Sequence, residues 1–317
     1  MSISHYNAAG VNTRNSFNTP PSNNGSNLTS EVEVGSIPSI SSSAMLVELN
    51  LSVWTGRKFD KQVSAEIDTQ KHTSTRAGNY NKKLFADEPV FDAIGKHAGN
   101  TRTYHYHATM PWSDSGLRLL TTSMFFDYQK QITQYEADFN GKVADFLNQY
   151  DKLVLQAQMK LGSLFNPEDY PDAESIRDKF KFSVKYCPVP EVGDWRIDVG
   201  NEAQALLKTS YANYYQANLE QAYKDVWDRT HEALTNMSSK LAGNKKQIFR
   251  DTLVSNVTEM IGLLDKFNVT GDTKMKLAKA KLESVMLGIT PDALREDDYL
   301  RLDTKTKVDS LLKEFSW

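Results

Sequence analysis

Between Leu117 and Leu161 an apolar residue recurs every three or four positions, with no proline in the run. The stripe is Leu117, Leu120, Met124, Tyr128, Ile132, Tyr135, Phe139, Val143, Phe146, Tyr150, Val154, Ala157 and Leu161, at a mean spacing of about 3.67 residues. That is the period of one face of an α-helix. It is nearer an eleven-residue repeat than a heptad, so the predicted helix runs almost straight. At 1.5 Å per residue it spans about 65 Å. A stripe of that length needs a partner to cover it. A second candidate helix runs from Asn201 to Leu241 and stops before Gly243-Asn244. Its stripe includes Leu207, Tyr211, Tyr215, Leu219, Val226 and Met237, and it is rich in tyrosine. The two are expected to pack antiparallel as a coiled-coil-like stalk.

The remaining segments fit around that stalk. Val47, Leu49, Leu51 and Val53 alternate with Glu48, Asn50 and Ser52, which reads as a half-buried strand. Glu88-Pro89 opens a short helix to about Lys96, closed by Gly99-Asn100. Further strands are expected over residues 101–110 and 180–189, with a short helix at 172–179 between the long helix and the latter. Residues 57–88 are too polar to assign. Past Leu241, helices are expected near 245–267, 273–287, 291–297 and 304–315. The expected fold class is α+β, predominantly α: two long antiparallel coiled-coil-like helices, a small β element and a C-terminal helical bundle. Residues 1–44 are rich in Ser and Asn and read as a disordered tail. Residues 45–242 then carry the β element and the helical hairpin, and 243–317 the C-terminal helices.

The 317 residues carry a net charge of −3, so no global field draws the chain to nucleic acid or an anionic membrane. Any basic site has to be local. Cys187 is the only cysteine, which excludes an internal disulfide or a cysteine-based zinc site and reads as a packed structural thiol. No run approaches the ~20 apolar residues of a membrane span, and the N-terminus has no secretory pattern. A cytoplasmic location is the expectation.

Leu49-Asn50-Leu51-Ser52-Val53-Trp54-Thr55-Gly56-Arg57-Lys58 resembles the opening of an uncharacterised phage and bacterial family of coil-containing proteins. Members continue with a strand ending near a proline, a long helix with Phe-Leu-x-x-Tyr-Asp, and a Lys/Arg-Phe-x-Phe strand. Here those are Met110-Pro111, Phe146-Leu147-Asn148-Gln149-Tyr150-Asp151 and Lys179-Phe180-Lys181-Phe182. The resemblance covers roughly residues 46–190, departs over 59–88, and has Tyr104-His105-Tyr106-His107 where members are more apolar. Genes of this family often lie beside a MoxR- or CobS-like AAA+ ATPase. The resemblance therefore implies a phage protein in the host cytoplasm, with an AAA+ ATPase as protein partner.

No phosphate loop, dinucleotide-binding pattern, nucleophile elbow or His-Glu-x-x-His is present, so no catalytic residue and no cofactor is expected. His105 and His107, two apart on an expected strand, would share a face and reach a metal if a carboxylate joined them; the ordinary alternative is a hydrogen-bonded pair, and no metal site is assigned. The candidate binding residues are Trp54, Arg57, Lys58, Lys71, Arg76, Tyr80, Lys82 and Lys83, which would form a basic surface with aromatic neighbours. Phosphates and a stacked base suit such a set, and a tight turn with solvated charges is the alternative. The expected function is a non-enzymatic interaction or adaptor protein. Single-stranded nucleic-acid binding through 57–83 is the second reading, and a homo-oligomer stays open.

Overall fold

The computed structural model describes residues 39–191, 200–242 and 250–315. In chain order the elements are β1 (Ala44–Ser52), β2 (Arg57–Phe59), α1 (Lys61–Gln70), β3 (Asn81–Lys83), α2 (Pro89–His107), β4 (Met110–Pro111), β5 (Arg118–Thr121), α3 (Phe125–Asn148), α4 (Tyr150–Leu161), α5 (Ala173–Arg177), β6 (Lys181–Pro188), α6 (Asn201–Leu241), α7 (Thr252–Phe267), α8 (Thr273–Met286), α9 (Pro291–Glu296) and α10 (Asp298–Glu314). The fold is α+β and mainly helical. One antiparallel sheet has the order β4-β5-β1-β6, and β2 and β3 form a separate two-stranded ribbon. The start of β1 is central in the sheet: Leu46 faces Leu119 of β5 on one side and Cys187 of β6 on the other.

The long stripe from Leu117 is not one helix. Leu119 and Leu120 are both fully buried, and adjacent buried side chains suit a strand covered on both faces. Leu119 pairs with Met110 and with Leu46, and Leu120 with Met45. The helix starts only at Phe125 and is interrupted at Gln149. There the side-chain amide of Gln149 donates to the Asp145 carbonyl at 3.1 Å, the acceptor its own backbone N–H would use in a continuous helix. That N–H turns instead to the Phe146 carbonyl.

Of the segment 101–110, expected as a strand, residues 101–107 are helical, because α2 runs through Gly99-Asn100 to His107, and only Met110 is in a strand. Its buried face is Ile94, His97, Ala98, Thr101 and His105, in steps that fit a helix. Three of those five are polar and each is satisfied: Thr101 Oγ1 donates to the His97 carbonyl at 2.9 Å, and the His97 and His105 rings lie 2.8 Å from the Tyr135 carbonyl and the Tyr128 hydroxyl of α3. Two residues apart on a helix point in different directions, so His105 is buried while His107 reaches the surface.

The two long helices are not each other's main neighbours. α3 packs on α2, while α6 packs on α7, α10 and β4. α2 fills the place beside α3 that a second long helix was expected to take. α6 keeps its expected bounds, but its first buried side chain is Ala212, so its first ten residues stand clear of the core.

Two apolar cores result. The larger joins the β1–β5 strands, the N-terminal half of α3 and helices α6 to α10, through Val47, Leu120, Tyr128, Tyr215, Met237 and Phe267. The smaller holds Phe85, Ile94, Phe139, Phe146, Tyr150 and Ile176. Phe182 of β6 packs against both.

Residues 1–38 of the expected tail lie outside the described residues, as do 245–249 of the expected 245–267 helix. The tail boundary at 44 is too late. Ile40 is fully buried and its N–H donates to the Tyr215 hydroxyl at 3.1 Å, so the ordered chain begins before β1. Cys187, expected inside, is exposed. β6 is the edge strand of the sheet, and the side chain there faces solvent. Among the described residues no helix is long and apolar enough to cross a membrane.

Candidate functional site

The sequence from Trp54 to Leu84 builds a ribbon and a helix that project from the smaller core. Trp54 anchors it. Its ring meets Phe85 and Phe91 edge-on, both at 5.9 Å, and the Phe146 ring at 6.5 Å. The Lys179 ammonium lies 5.8 Å over the Trp54 ring. Trp54 is therefore a packing residue and not a free stacking platform. Gly56 follows with φ +58°, and a Cβ there would lie 2.7 Å from the Phe91 ring. Only glycine combines that backbone with that approach.

Beyond Gly56 the register places Arg57 opposite Lys83, Lys58 opposite Lys82, and Phe59 opposite Asn81. Side chains alternate along a strand, so the pairs divide between two faces. Lys82 is on the inner face and buried. Its ammonium lies 2.8 Å from Asp169 and 3.3 Å from Asp60, and donates to the Leu164 carbonyl at 2.7 Å. Burial works against its charge, but the bonds to Asp169 and Asp60 outweigh it and hold its pKa above the ordinary lysine value. Asp60 in turn is held low, first by the Val63 N–H that it accepts as the cap of α1, with Lys82 adding to it against some burial. Lys58 sits 4.0 Å from Asp169 with more than half of its side chain in water.

The outer face carries Arg57, Lys83, Phe59 and Asn81, all exposed. Arg76 reaches back from the loop after α1, its guanidinium 5.6 Å over the Phe59 ring. Arg57 and Lys83 directly opposed repel one another, an arrangement that costs stability in a bare ribbon. Among the described residues Arg57, Lys71, Arg76 and Lys83 have no ion-pair partner. Residues 57–83 hold seven lysines and arginines against three carboxylates.

Lys71 and Tyr80 lie at the far end, on a pocket of about 300 Å³ between α1 and the 73–80 loop. Of the eight residues singled out from the sequence, Arg57, Lys83 and Arg76 gather on the outer face, and Lys58 lies opposite Lys82 beside Asp169. Lys71 and Tyr80 line the neighbouring pocket, Lys82 is neutralised inside, and Trp54 belongs to the core. Phe59 and Asn81 were missed. The alternation Arg57-x-Phe59 and Asn81-x-Lys83 is the signal that points to them once the strands are paired.

A second polar cluster closes the C-terminal end of α2. Arg118 donates to the Thr109 hydroxyl and carbonyl at 2.6 and 2.9 Å, and lies 4.9 Å over the Tyr106 ring. Arg229 donates to the carbonyls of Tyr106 and His107 at 2.9 and 3.1 Å and pairs with Asp225 at 2.6 Å. His105 Nδ1 lies 2.8 Å from the Tyr128 hydroxyl. Burial, with the Arg118 charge behind it, pushes the His105 pKa down to about 4. Each of these groups already has a partner within the fold. His107 faces Glu259 at 3.7 Å over a groove between α6 and α7. Among the described residues no three His, Cys, Asp or Glu side chains are grouped to hold a metal.

No family model, curated protein or solved structure matches the chain.

Proposed function

We propose that this chain is a non-enzymatic binding protein whose contact surface is the β2–β3 ribbon with its Arg76 flank, and that the ligand is single-stranded nucleic acid. The observation that carries this is the outer face: Arg57 opposed to Lys83, beside an exposed Phe59 capped by Arg76. Unpaired cations at strand spacing suit successive phosphates, and an aromatic ring among them suits a base. The repulsion between Arg57 and Lys83 is relieved when a phosphate lies between them.

The test is binding of a labelled single strand across a salt series. Arg57→Ala with Lys83→Ala removes two phosphate contacts, so the slope of log affinity against log salt falls by about 1.4. Salt-independent binding, or none at low salt, defeats the reading.

A protein-adaptor reading rests on a different observation. Leu206 is 70% exposed on the part of α6 that stands clear of the core, and Tyr214, half-exposed, lies two turns further on. In that reading α6 is the stalk and a second chain, another copy or the AAA+ ATPase implied by the family resemblance, supplies the coiled-coil pairing in the host cytoplasm. Recovery of such an ATPase on immobilised wild-type chain, lost with Leu206→Asp, is its test.

A further inference from the structure

Resting on the nucleic-acid reading of the ribbon, we propose that the pocket beside it takes one unstacked base of the bound strand, and that this base carries an exocyclic amine. The pocket begins where the ribbon ends. One residue past the Phe59–Asn81 pair, the Asp60 N–H donates to the Tyr80 carbonyl at 2.9 Å. Tyr80 is then fixed against α1, because its N–H donates to Ser64 Oγ at 2.9 Å and that hydroxyl donates to the Asp60 carbonyl at 2.6 Å. Ile67 and Asp68, three and four residues after Ser64, lie on the same face of α1. Lys71 stands one turn further on, at the C-cap.

The walls are mostly apolar, with Tyr80 half-buried and Ile67 42% exposed. The volume of about 300 Å³ suits a single small ring system. One carboxylate faces into this apolar space. Asp68 Oδ1 accepts the Ala77 N–H at a long 3.3 Å, and among the described residues no cation pairs with it. A carboxylate has about four acceptor positions, so most of its capacity is open. It offers acceptors only. Cytosine, adenine and guanine present an amine to such a group. Thymine and uracil present carbonyl oxygens on both sides of one N–H, which the carboxylate repels. Lys71 at the mouth is placed for a phosphate of the same strand.

Short oligo-dC and oligo-dT of equal length separate this from simple backbone binding, since both are single-ring pyrimidine strands. Oligo-dC is expected to bind about five- to tenfold more tightly, one good base contact being worth that much. Asp68→Asn keeps an acceptor for the Ala77 N–H and so keeps the loop. It is expected to erase the dC preference by weakening oligo-dC, and not to weaken oligo-dT. Cytidine monophosphate, followed by amide NMR, is expected to shift the Ala77 and Tyr80 signals without needing the full ribbon. Equal binding of both strands, or a dT preference, overturns the pocket and leaves the ribbon reading standing. No strand binding, with shifts at Ala77 and Tyr80, overturns the ribbon and keeps the pocket. Silence in both experiments overturns both.

Discussion

Arg118 and Arg229 donate to the same acceptor, the carbonyl oxygen of Thr109, at 2.9 and 3.0 Å. One guanidinium comes from β5 and the other from α6, and both meet the C-terminal end of α2, where the helix dipole favours cations. Burial lowers the Arg118 pKa to about 10, with Arg229 adding to it, so Arg118 stays charged at neutral pH. Asp225 balances the pair, and burial holds its pKa above the usual carboxylate value although Arg229 and Arg118 pull against it. Arg229→Met leaves the His107 carbonyl and the Asp225 carboxylate without their partner, and the Tyr106 carbonyl with only the 3.3 Å bond from Arg118. A loss of about 2–4 kcal/mol is expected in urea unfolding, with α2 the first element to lose amide protection.

His105 gives the molecule a pH dependence of known sign. Its folded pKa of about 4 lies below the ordinary histidine value of 6.5. Between those values the unfolded chain binds the proton and the folded chain does not. Stability from this group is complete above pH 6.5 and is lost as pH falls toward 4, by about 3 kcal/mol in all. His105→Gln keeps a polar group near the Tyr128 hydroxyl but does not titrate. The difference between wild type and variant, measured by urea unfolding at several pH values, is expected to change by that amount over this window and to stay flat above it.

Gly56→Ala forces a Cβ against the Phe91 ring at a positive φ. Either Phe91 shifts or the turn opens, and a loss of about 2–3 kcal/mol is expected. Because Gly56 O accepts the Leu84 N–H at 2.8 Å, the ribbon loosens with it. Near-ultraviolet circular dichroism of the Trp54 cluster reports the first effect and strand binding the second.

Lys82 and Lys83 are neighbours in sequence with opposite roles. Lys82→Met takes from Asp60 its ion-pair partner and from Asp169 the closer of two. It is expected to lower the melting temperature while leaving the salt slope of ligand binding alone. Lys83→Ala is expected to leave the melting temperature unchanged and to reduce the slope by about 0.7. The reverse pattern would assign the inner and outer faces of the ribbon wrongly.

What could be read from the sequence followed the apolar periodicity. α6 was legible to the residue because Tyr215, Leu219, Ala222 and Val226 keep the helical period without interruption. The C-terminal end of β6 was legible from Pro188 and Pro190. Of α2 only the first half, from Glu88-Pro89 to Lys96, was legible; the rest was not, because His97, Thr101 and His105 occupy buried positions that a hydrophobic pattern does not register. The break at Gln149 was invisible for the opposite reason: the stripe of apolar residues continues across it. At the site, cations were legible but their partners were not. Arg57 meets Lys83 only through a pairing across an intervening helix, and the neutralisation of Lys82 depends on Asp169, far along the chain.

The smaller core and the larger one share α3, whose Tyr128 and Ile132 lie in one and whose Phe139 and Phe146 lie in the other, and they share Phe182. Neither core keeps all its walls if the other melts, so the two are expected to unfold in a single cooperative transition. Any molecule gripping the ribbon then slows global opening everywhere by mass action, and amides as distant as those of α7 exchange more slowly in its presence.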